Sequence, residues 1–385
     1  MNRHRIANCG THQGGFDNPN LVWPLAAIRR PLAAAECARY KPGMRRPTRL
    51  GLAVLALLLV LSGAYTAYWF VVAGQIEEGV AAWAQSARAE KLDVSWQKVR
   101  VTGFPLAYRV ELETAALRDG AISPSPELRV PSLSGTARPW DFATWRLDAP
   151  EGLAAELAGA GDRAPLQASA QTATGVISIE AEGGWKLWMN LQDASVEGAD
   201  RVRISSADAW IIVPPKPPQR HTDAKVALAA LARQVRLPAA IEPLGDTIDD
   251  LAFGVTVKGA IPNGKLAQAA AAWRDAGGTI ELDNLRLKWG GLSATATGTV
   301  ALDRELQPIG GFSGAIQGYH QILTVLVQNG HMRATDAGLA RLALAMLAKA
   351  GPDGKPQIAT AFTIENGQMF LGPAKLGKAP RIAWE

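Results

Sequence analysis

Hydrophobic and polar positions divide the chain into three regimes. Residues 50–73, "LGLAVLALLLVLSGAYTAYWFVVA", carry no charge over 24 positions. That run is long enough for a helix to cross a hydrocarbon core of roughly 30 Å. Residues 75–91 change to a helical period, with Ile76, Val80, Trp83 and Ala87 on one face. Beyond residue 92 the period becomes two. Leu106, Tyr108, Val110 and Leu112 alternate with Ala107, Arg109, Glu111 and Glu113. "LQASAQ", "WKLWMNLQ", "RVRIS" and "ADAWIIVP" continue the pattern to residue 214, where Pro-rich "PPKPPQR" ends the run as a stiff connector.

Past the connector, Thr222 or Asp223 can cap a helix through Val235, with Leu228, Leu231 and Val235 on one face. "LAFGVTV" reads as a strand, and Asn263 can cap a helix burying Leu266, Ala270 and Trp273. Residues 279–318 form the clearest meander, turned at Gly290-Gly291. Two helices follow. One buries Ile322, Leu323, Leu326 and Val327; the other buries Leu339, Leu342, Ala343 and Met346. Asn366-Gly367 then turns a final hairpin. The predicted fold is α+β: one transmembrane helix, then an elongated, curved, mostly antiparallel sheet with inserted helices. Without βαβ alternation, a parallel doubly wound sheet is disfavoured. The expected organisation is a cytoplasmic stub over 1–49, a transmembrane helix over 50–73 and a β-rich domain over 74–385, with two halves meeting near 214–222.

One interruption stands out in the first strands. Val94 and Trp96 share one parity, while Val99 and Val101 share the other. A bulge near Lys98 accounts for the exchange of faces. Gly103-Phe104-Pro105 then turns the strand, with Phe104 folded down as an apolar plug.

Charge sharpens the placement. Arg45, Arg46 and Arg49 precede the apolar run, and Tyr65, Tyr68 and Trp69 gather at its far end. Retention of positive charge puts the N-terminus in the cytoplasm of a bacterial inner membrane and the C-terminal bulk in the periplasm. The run extends well past the small residues Ser62-Gly63-Ala64, so an uncleaved anchor is the better reading than a cleaved signal peptide. Met44, immediately before the arginines, is the expected initiator. Of 40 Lys/Arg and 35 Asp/Glu, residues 1–49 hold nine and two, leaving 31 and 33 for the remainder. The basic balance therefore belongs to the stub, and the remainder has no electrostatic footprint for nucleic acid. Both cysteines, Cys9 and Cys37, lie in the stub, so no disulfide framework is expected beyond it.

Candidate chemistry is sparse. The sequence has no nucleophile elbow, phosphate-binding loop or H-E-x-x-H helix. His221, His320 and His331 have no common zinc spacing and read as surface or capping residues. Asp249-Asp250 reads as solvated charge, because neighbours on a strand face opposite ways. No catalytic residue, cofactor or metal is assigned. Aromatics are more informative: Trp96, Trp185, Trp188, Trp210, Trp273 and Trp289 all fall in periodic segments. "LSATATGTVAL" has a face of small residues that leaves room for a helix or an acyl chain. An apolar sheet face carrying Trp96, Phe104, Leu106, Tyr108, Trp289 and Leu292 is the candidate ligand surface. Its expected occupant is a lipid-like molecule or an envelope protein. An enzyme of envelope metabolism with a dispersed site, and an architectural subunit of a membrane complex, are the competing readings.

The anchor followed by "VSWQKVRVTGFPLAYRVEL" resembles the start of the bacterial domain-of-unknown-function family 2125. "LRLKWGGLSATATGTVALDRELQPIGGFSGAIQGY" and "IENGQMFLGPAKLGKAPRI" are similar to that family's later meander and its ending. Together they cover most of residues 70–382. The resemblance implies a topology and assigns no activity. It extends more distantly to AsmA-type envelope proteins, which build long periplasmic sheets on one N-terminal helix.

Overall fold

The computed structural model describes residues 46–385, apart from 90, 121–124, 158–164, 263–264, 331, 352, 372–373, 380, 383 and 385. Met44, Cys9, Cys37, Asn263 and His331 lie outside the described residues. The chain divides into two units, residues 1–59 and 60–385. Helix α1 (Arg46–Ala89) is long and apolar enough to cross a membrane. Leu50, Leu55 and Leu59 are exposed along it, as lipid-facing side chains are.

The rest is an antiparallel sheet of nineteen strands among the described residues. Strands β1 (Leu92–Ser95) and β2 (Lys98–Thr102) both pair β3 (Tyr108–Asp119), which pairs β4 (Pro126–Arg138). Next come β5 (Asp141–Ala149) and β6 (Leu153–Leu157), both on β4, answered by β7 (Leu166–Ala170) on β6 and β8 (Thr172–Ile179) on β5. Each of these pairs acts as one long strand with a break. Strand β9 (Trp185–Glu197) spans both β7 and β8. A plain meander follows through β10 (Arg201–Val213), β11 (Ala224–Ile241) and β12 (Gly245–Lys258). Helix α2 (Leu266–Asp275) leads to β13 (Thr279–Trp289), β14 (Leu292–Leu302) and β15 (Pro308–Gln317). Helices α3 (Tyr319–Gln328) and α4 (Ala334–Leu347) precede β16 (Lys349–Ala350) and β17 (Pro356–Glu365), and β17 pairs β15. The chain closes with β18 (Gln368–Leu371) and β19 (Ala374–Lys378).

The breaks line up into a transverse seam. Between β3 and β4, Thr114 and Pro131 fall between paired positions, and Thr114 has a positive φ of 53°. Proline is tolerated there because the ladder needs no amide hydrogen from it. Farther across, Asp193 of β9 and Gln234 of β11 have φ of 48° and 51°, flanking Ser205 of β10. Each strand thereby spaces its inward apolar residues by three at the seam instead of two. Ala84, Ala87 and Val94 cluster with Trp96, while Val101 packs against Trp69, Ala73 and Tyr108, so both parities of the first strands reach α1. The exchange of faces expected near Lys98 is this seam, and β3 makes the same exchange at Thr114.

Two readings of the sequence need correction. Residues 222–235 are not a helix. β11 runs from Ala224 onward, pairing β10 over residues 227–236 and β12 over 224–241. Leu228 and Val235 mimic a helical face because the seam at Gln234 shifts the alternation, and Leu231 opposes Asp208 on the other side of the sheet. The ladder overrides an Ala/Leu-rich composition. The Pro-rich segment accordingly leaves the ladder unbroken, since β10 and β11 are direct neighbours. In α4 the side turned inward is that of Ala337, at 1% exposure, while Leu339, Leu342 and Met346 are exposed.

Candidate functional site: an apolar face walled by helix α1

Three adjacent cross-strand rows on one face of the sheet are apolar. The central row runs Val110–Gly135–Leu147–Gly175–Met189 and on through Ala209, Ala230, Phe253, Leu285 and Ala296 to Gly314. One flanking row runs from Trp145 and Ile177 through Leu187, Ile211, Leu228, Val255 and Leu282 to Phe312 and Phe362. The other runs from Ala149 and Ala173 through Leu191, Ala207, Ala232, Leu251, Leu287 and Ala294 to Ile316 and Ile358. Leu228 and Phe253 remain 36% and 38% exposed in the middle of this face. A half-exposed row of large apolar side chains is the arrangement that calls for a ligand or partner.

At one end α1 forms a wall. Ile76, Gly79, Val80 and Trp83 of the helix face Val110, Leu112, Leu133, Gly135, Trp145, Leu147 and Ile177 across a groove of about 500 Å³. The exposed lining is almost wholly apolar. The geometry suits an alkyl chain and offers no group for acid–base or nucleophilic chemistry. Below the groove an aromatic dock joins α1 to the β2–β3 corner. Trp69 is 3% exposed and stacks on Tyr108 at 5.0 Å. Its indole N–H donates to the Ala107 carbonyl at 3.2 Å. Phe104 meets Trp69 edge-on at 5.5 Å and Phe70 face-on at 5.9 Å. The Tyr65 hydroxyl donates to the Pro105 carbonyl at 2.5 Å. Gly103 has a φ of 101°, and a Cβ there would lie 2.8 Å from the Ala107 carbonyl oxygen, so only glycine closes this corner.

The residues singled out from sequence fall in several places. Tyr108 is fully buried in the dock, and Trp96 is half-buried beside Val94, Ala84 and Ala87. Phe104 is no buried plug: it is 47% exposed and leans on the helix's rings instead of entering the sheet interior. Leu106, at 68% exposure, projects from the corner. Trp289 and Leu292 oppose each other at the β13–β14 turn, far along the sheet from the dock, and the Trp289 indole donates to the Gly245 carbonyl at 3.3 Å. None of the six lines the groove. Sequence pattern had marked Ile76, Val80 and Trp83 as one helical face, and Val110 and Leu112 as one strand face. Leu133, Trp145, Leu147 and Ile177 were missed, although their alternation in β4, β5 and β8 is legible. His221 and His320 are exposed, and Asp249 accepts from Gln234 at 3.4 Å at the seam. Among the described residues no cluster of His, Cys, Asp or Glu side chains could hold a metal ion.

Tyr108 carries an unusual group for so central a position. Its hydroxyl is buried without a hydrogen-bond partner among the described residues. Burial, with the Tyr68 and Tyr65 rings nearby, pushes its pKa above the ordinary value of 10.0. Below pH 10 both folded and unfolded chains hold the phenolic proton. Above it the unfolded chain loses the proton first, so folded stability falls as pH rises. Tyr108→Phe removes an unsatisfied polar atom and keeps the ring. It is expected to match or exceed the parent in denaturant unfolding at pH 7 and to retain more stability above pH 10. A loss beyond about 1 kcal/mol at pH 7 would mean that the hydroxyl has a partner after all.

No curated protein and no solved structure matches the chain. The model of a bacterial family described as "Uncharacterized protein conserved in bacteria" matches residues 69–380, from Trp69 in the dock to beyond β19. A match over most of the chain, spanning the dock, the groove and the whole apolar face, places this protein in the bacterial DUF2125 family.

Proposed function

We propose that this chain is a single-pass inner-membrane protein that holds the alkyl chains of an envelope lipid on the apolar face of a periplasmic sheet. The observation that carries this reading is the groove whose one wall is the membrane helix and whose other wall begins three continuous apolar rows. A chain leaving the bilayer beside α1 meets carbon at every step. Burial of alkyl surface is worth roughly 0.8 kcal/mol per methylene, so a few turns of contact suffice for retention. The turn tips support a membrane-level mouth. Phe104, Leu106 and Trp140 are 47%, 68% and 69% exposed, and Phe104 contacts Phe70 of α1. Amphipathic and apolar side chains at that level suit the headgroup layer. The arginines preceding the apolar run support a cytoplasmic N-terminus.

The test is lipid occupancy. Full-length protein purified in neutral detergent is expected to carry envelope lipid detectable by native mass spectrometry. Leu133→Arg places a charge in the groove, and occupancy is expected to fall to less than a tenth of the parent's while the circular dichroism spectrum is unchanged. A parent protein that stays lipid-free after incubation with solubilised envelope lipids would sink the proposal. A second reading, an architectural subunit, draws on one observation: Leu339, Leu342 and Met346 form an exposed stripe on α4 at 71%, 63% and 75%. Co-purification of a stoichiometric protein partner, with no lipid, would favour it.

A further inference from the structure

On the opposite face the seam opens a polar concavity of about 480 Å³. A single cross-strand row contributes its floor. Ser169 of β7 opposes Ser195 of β9, Ser195 opposes Arg203 of β10, Arg203 opposes Arg236 of β11, and Arg236 opposes Thr247 of β12. All five line the concavity. Their neighbours along the strands, Ala194, Ile204 and Val235, form the adjacent apolar row, and Ala194 and Ile204 also line the concavity. By strand alternation the polar side chains are aimed away from that row.

The charge arrangement is uneconomical for a surface with only a structural task. Arg203 and Arg236 stand directly opposite one another, where like charges repel. Neither forms an ion pair among the described residues. Arg201, also at the rim, is neutralised by Glu197 at 2.5 Å. Asp193 is the only carboxylate lining the concavity among the described residues. Two unpaired guanidinium groups, Arg203 and Arg236, and four hydroxyls, those of Ser169, Ser195, Ser205 and Thr247, thus share the lining with one acid. The Ser169 and Ser195 oxygens sit 3.0 Å apart, so one hydroxyl can donate to the other while the remaining proton points outward. Directly paired strand positions bring two side chains within about 5.5 Å at their Cα atoms. Two guanidinium forks at that spacing can grip one tetrahedral oxyanion from both sides.

We infer that Arg203 and Arg236, flanked by Ser169, Ser195 and Thr247, form a binding site for a dianionic phosphate group. The group is a phosphomonoester, either free in solution or the terminal phosphate of a phospholipid such as phosphatidic acid. The site does not rest on the apolar-face reading, which concerns the other side of the sheet.

Titration calorimetry of the full chain in neutral detergent tests it, with inorganic phosphate, glycerol 3-phosphate and mixed micelles containing phosphatidic acid as three separate ligands. Saturable binding is expected for at least one, weakened tenfold or more by Arg203→Gln and by Arg236→Gln. Arg201→Gln, whose charge is already neutralised, is expected to change affinity less than threefold. Saturation by the soluble phosphates marks a free ester as ligand, and saturation by the micelles alone marks a headgroup. In the absence of ligand, Arg203→Gln relieves the facing repulsion, so its thermal midpoint is expected to equal or exceed the parent's. Lipid occupancy of the groove should be unchanged in both variants. Absence of saturable binding to all three ligands overturns the inference. So does undiminished affinity in the two variants, or a clear fall in the ligand-free midpoint of Arg203→Gln.

Discussion

Trp69→Ala is expected to lower the unfolding free energy of the full chain in neutral detergent by about 3–5 kcal/mol, the usual cost of removing a large buried aromatic ring. Trp69 is 3% exposed, stacks on Tyr108, receives Phe104 edge-on and donates its indole hydrogen to Ala107. Truncation opens a cavity against Tyr108, which β3 holds in place, and removes the ring on which Phe104 of the corner leans. It also leaves Tyr108, already without a partner for its hydroxyl, exposed on a face it needs covered. Trp83 supplies the control. It lies on the same helix at 54% exposure, and its truncation is expected to cost no more than about 1 kcal/mol. Urea unfolding followed by far-ultraviolet circular dichroism measures both. Equal losses in the two variants would show that the dock is not the joint between helix and sheet.

The second large effect concerns the seam. Gly152 has a φ of 77°, and a Cβ at that position would lie 2.0 Å from the Ala170 carbonyl oxygen and 2.7 Å from that of Gln171. Both are backbone atoms of the neighbouring broken strand, so the clash cannot be relieved by rotating a side chain. Gly152→Ala is expected to cost about 3 kcal/mol or more, combining a strained backbone with forced separation of two strands. Gly183 isolates the steric share. Its φ is 99°, but nothing lies within 4 Å of the added Cβ, so Gly183→Ala carries the backbone penalty alone, about 1 kcal/mol. Thermal midpoints of the two variants, compared at equal detergent concentration, check the difference. A Gly152→Ala protein as stable as Gly183→Ala would mean that the seam is loose enough to absorb a methyl group.

The seam also explains what pattern reading achieved and where it failed. The exchange of parity between Trp96 and Val99 was visible because the two segments are short and strongly apolar. The same exchange at Gln234 imitates a helical period: a three-residue step inside an alternating strand reproduces the spacing of a helix face. Nothing local separates the two. The difference lies in whether β10 and β12 stand on either side, which is settled by residues of other segments, such as Ile204 and Ile248 opposite Val235. The exposure of α4 was hidden for a related reason. An amphipathic period states that a helix has an apolar side without stating that anything covers it.

The sequence by itself determined the membrane-spanning length of α1, the alternating strands, and the hairpins at Gly290-Gly291 and Asn366-Gly367. It also determined the Gly-Phe-Pro corner and the family. Each is a property of contiguous residues: charge-free length, period, or the backbone freedom of a glycine. Only the tertiary structure decided that three apolar rows run in register beside α1 and across the sheet, two of them as far as β17. It alone brought Arg203 and Arg236 face to face, and left Tyr108 beneath Trp69 with Phe104 at the rim. Those relations join side chains through hydrogen-bonded register between strands, and register is a property of the assembled sheet, absent from any single segment of the chain.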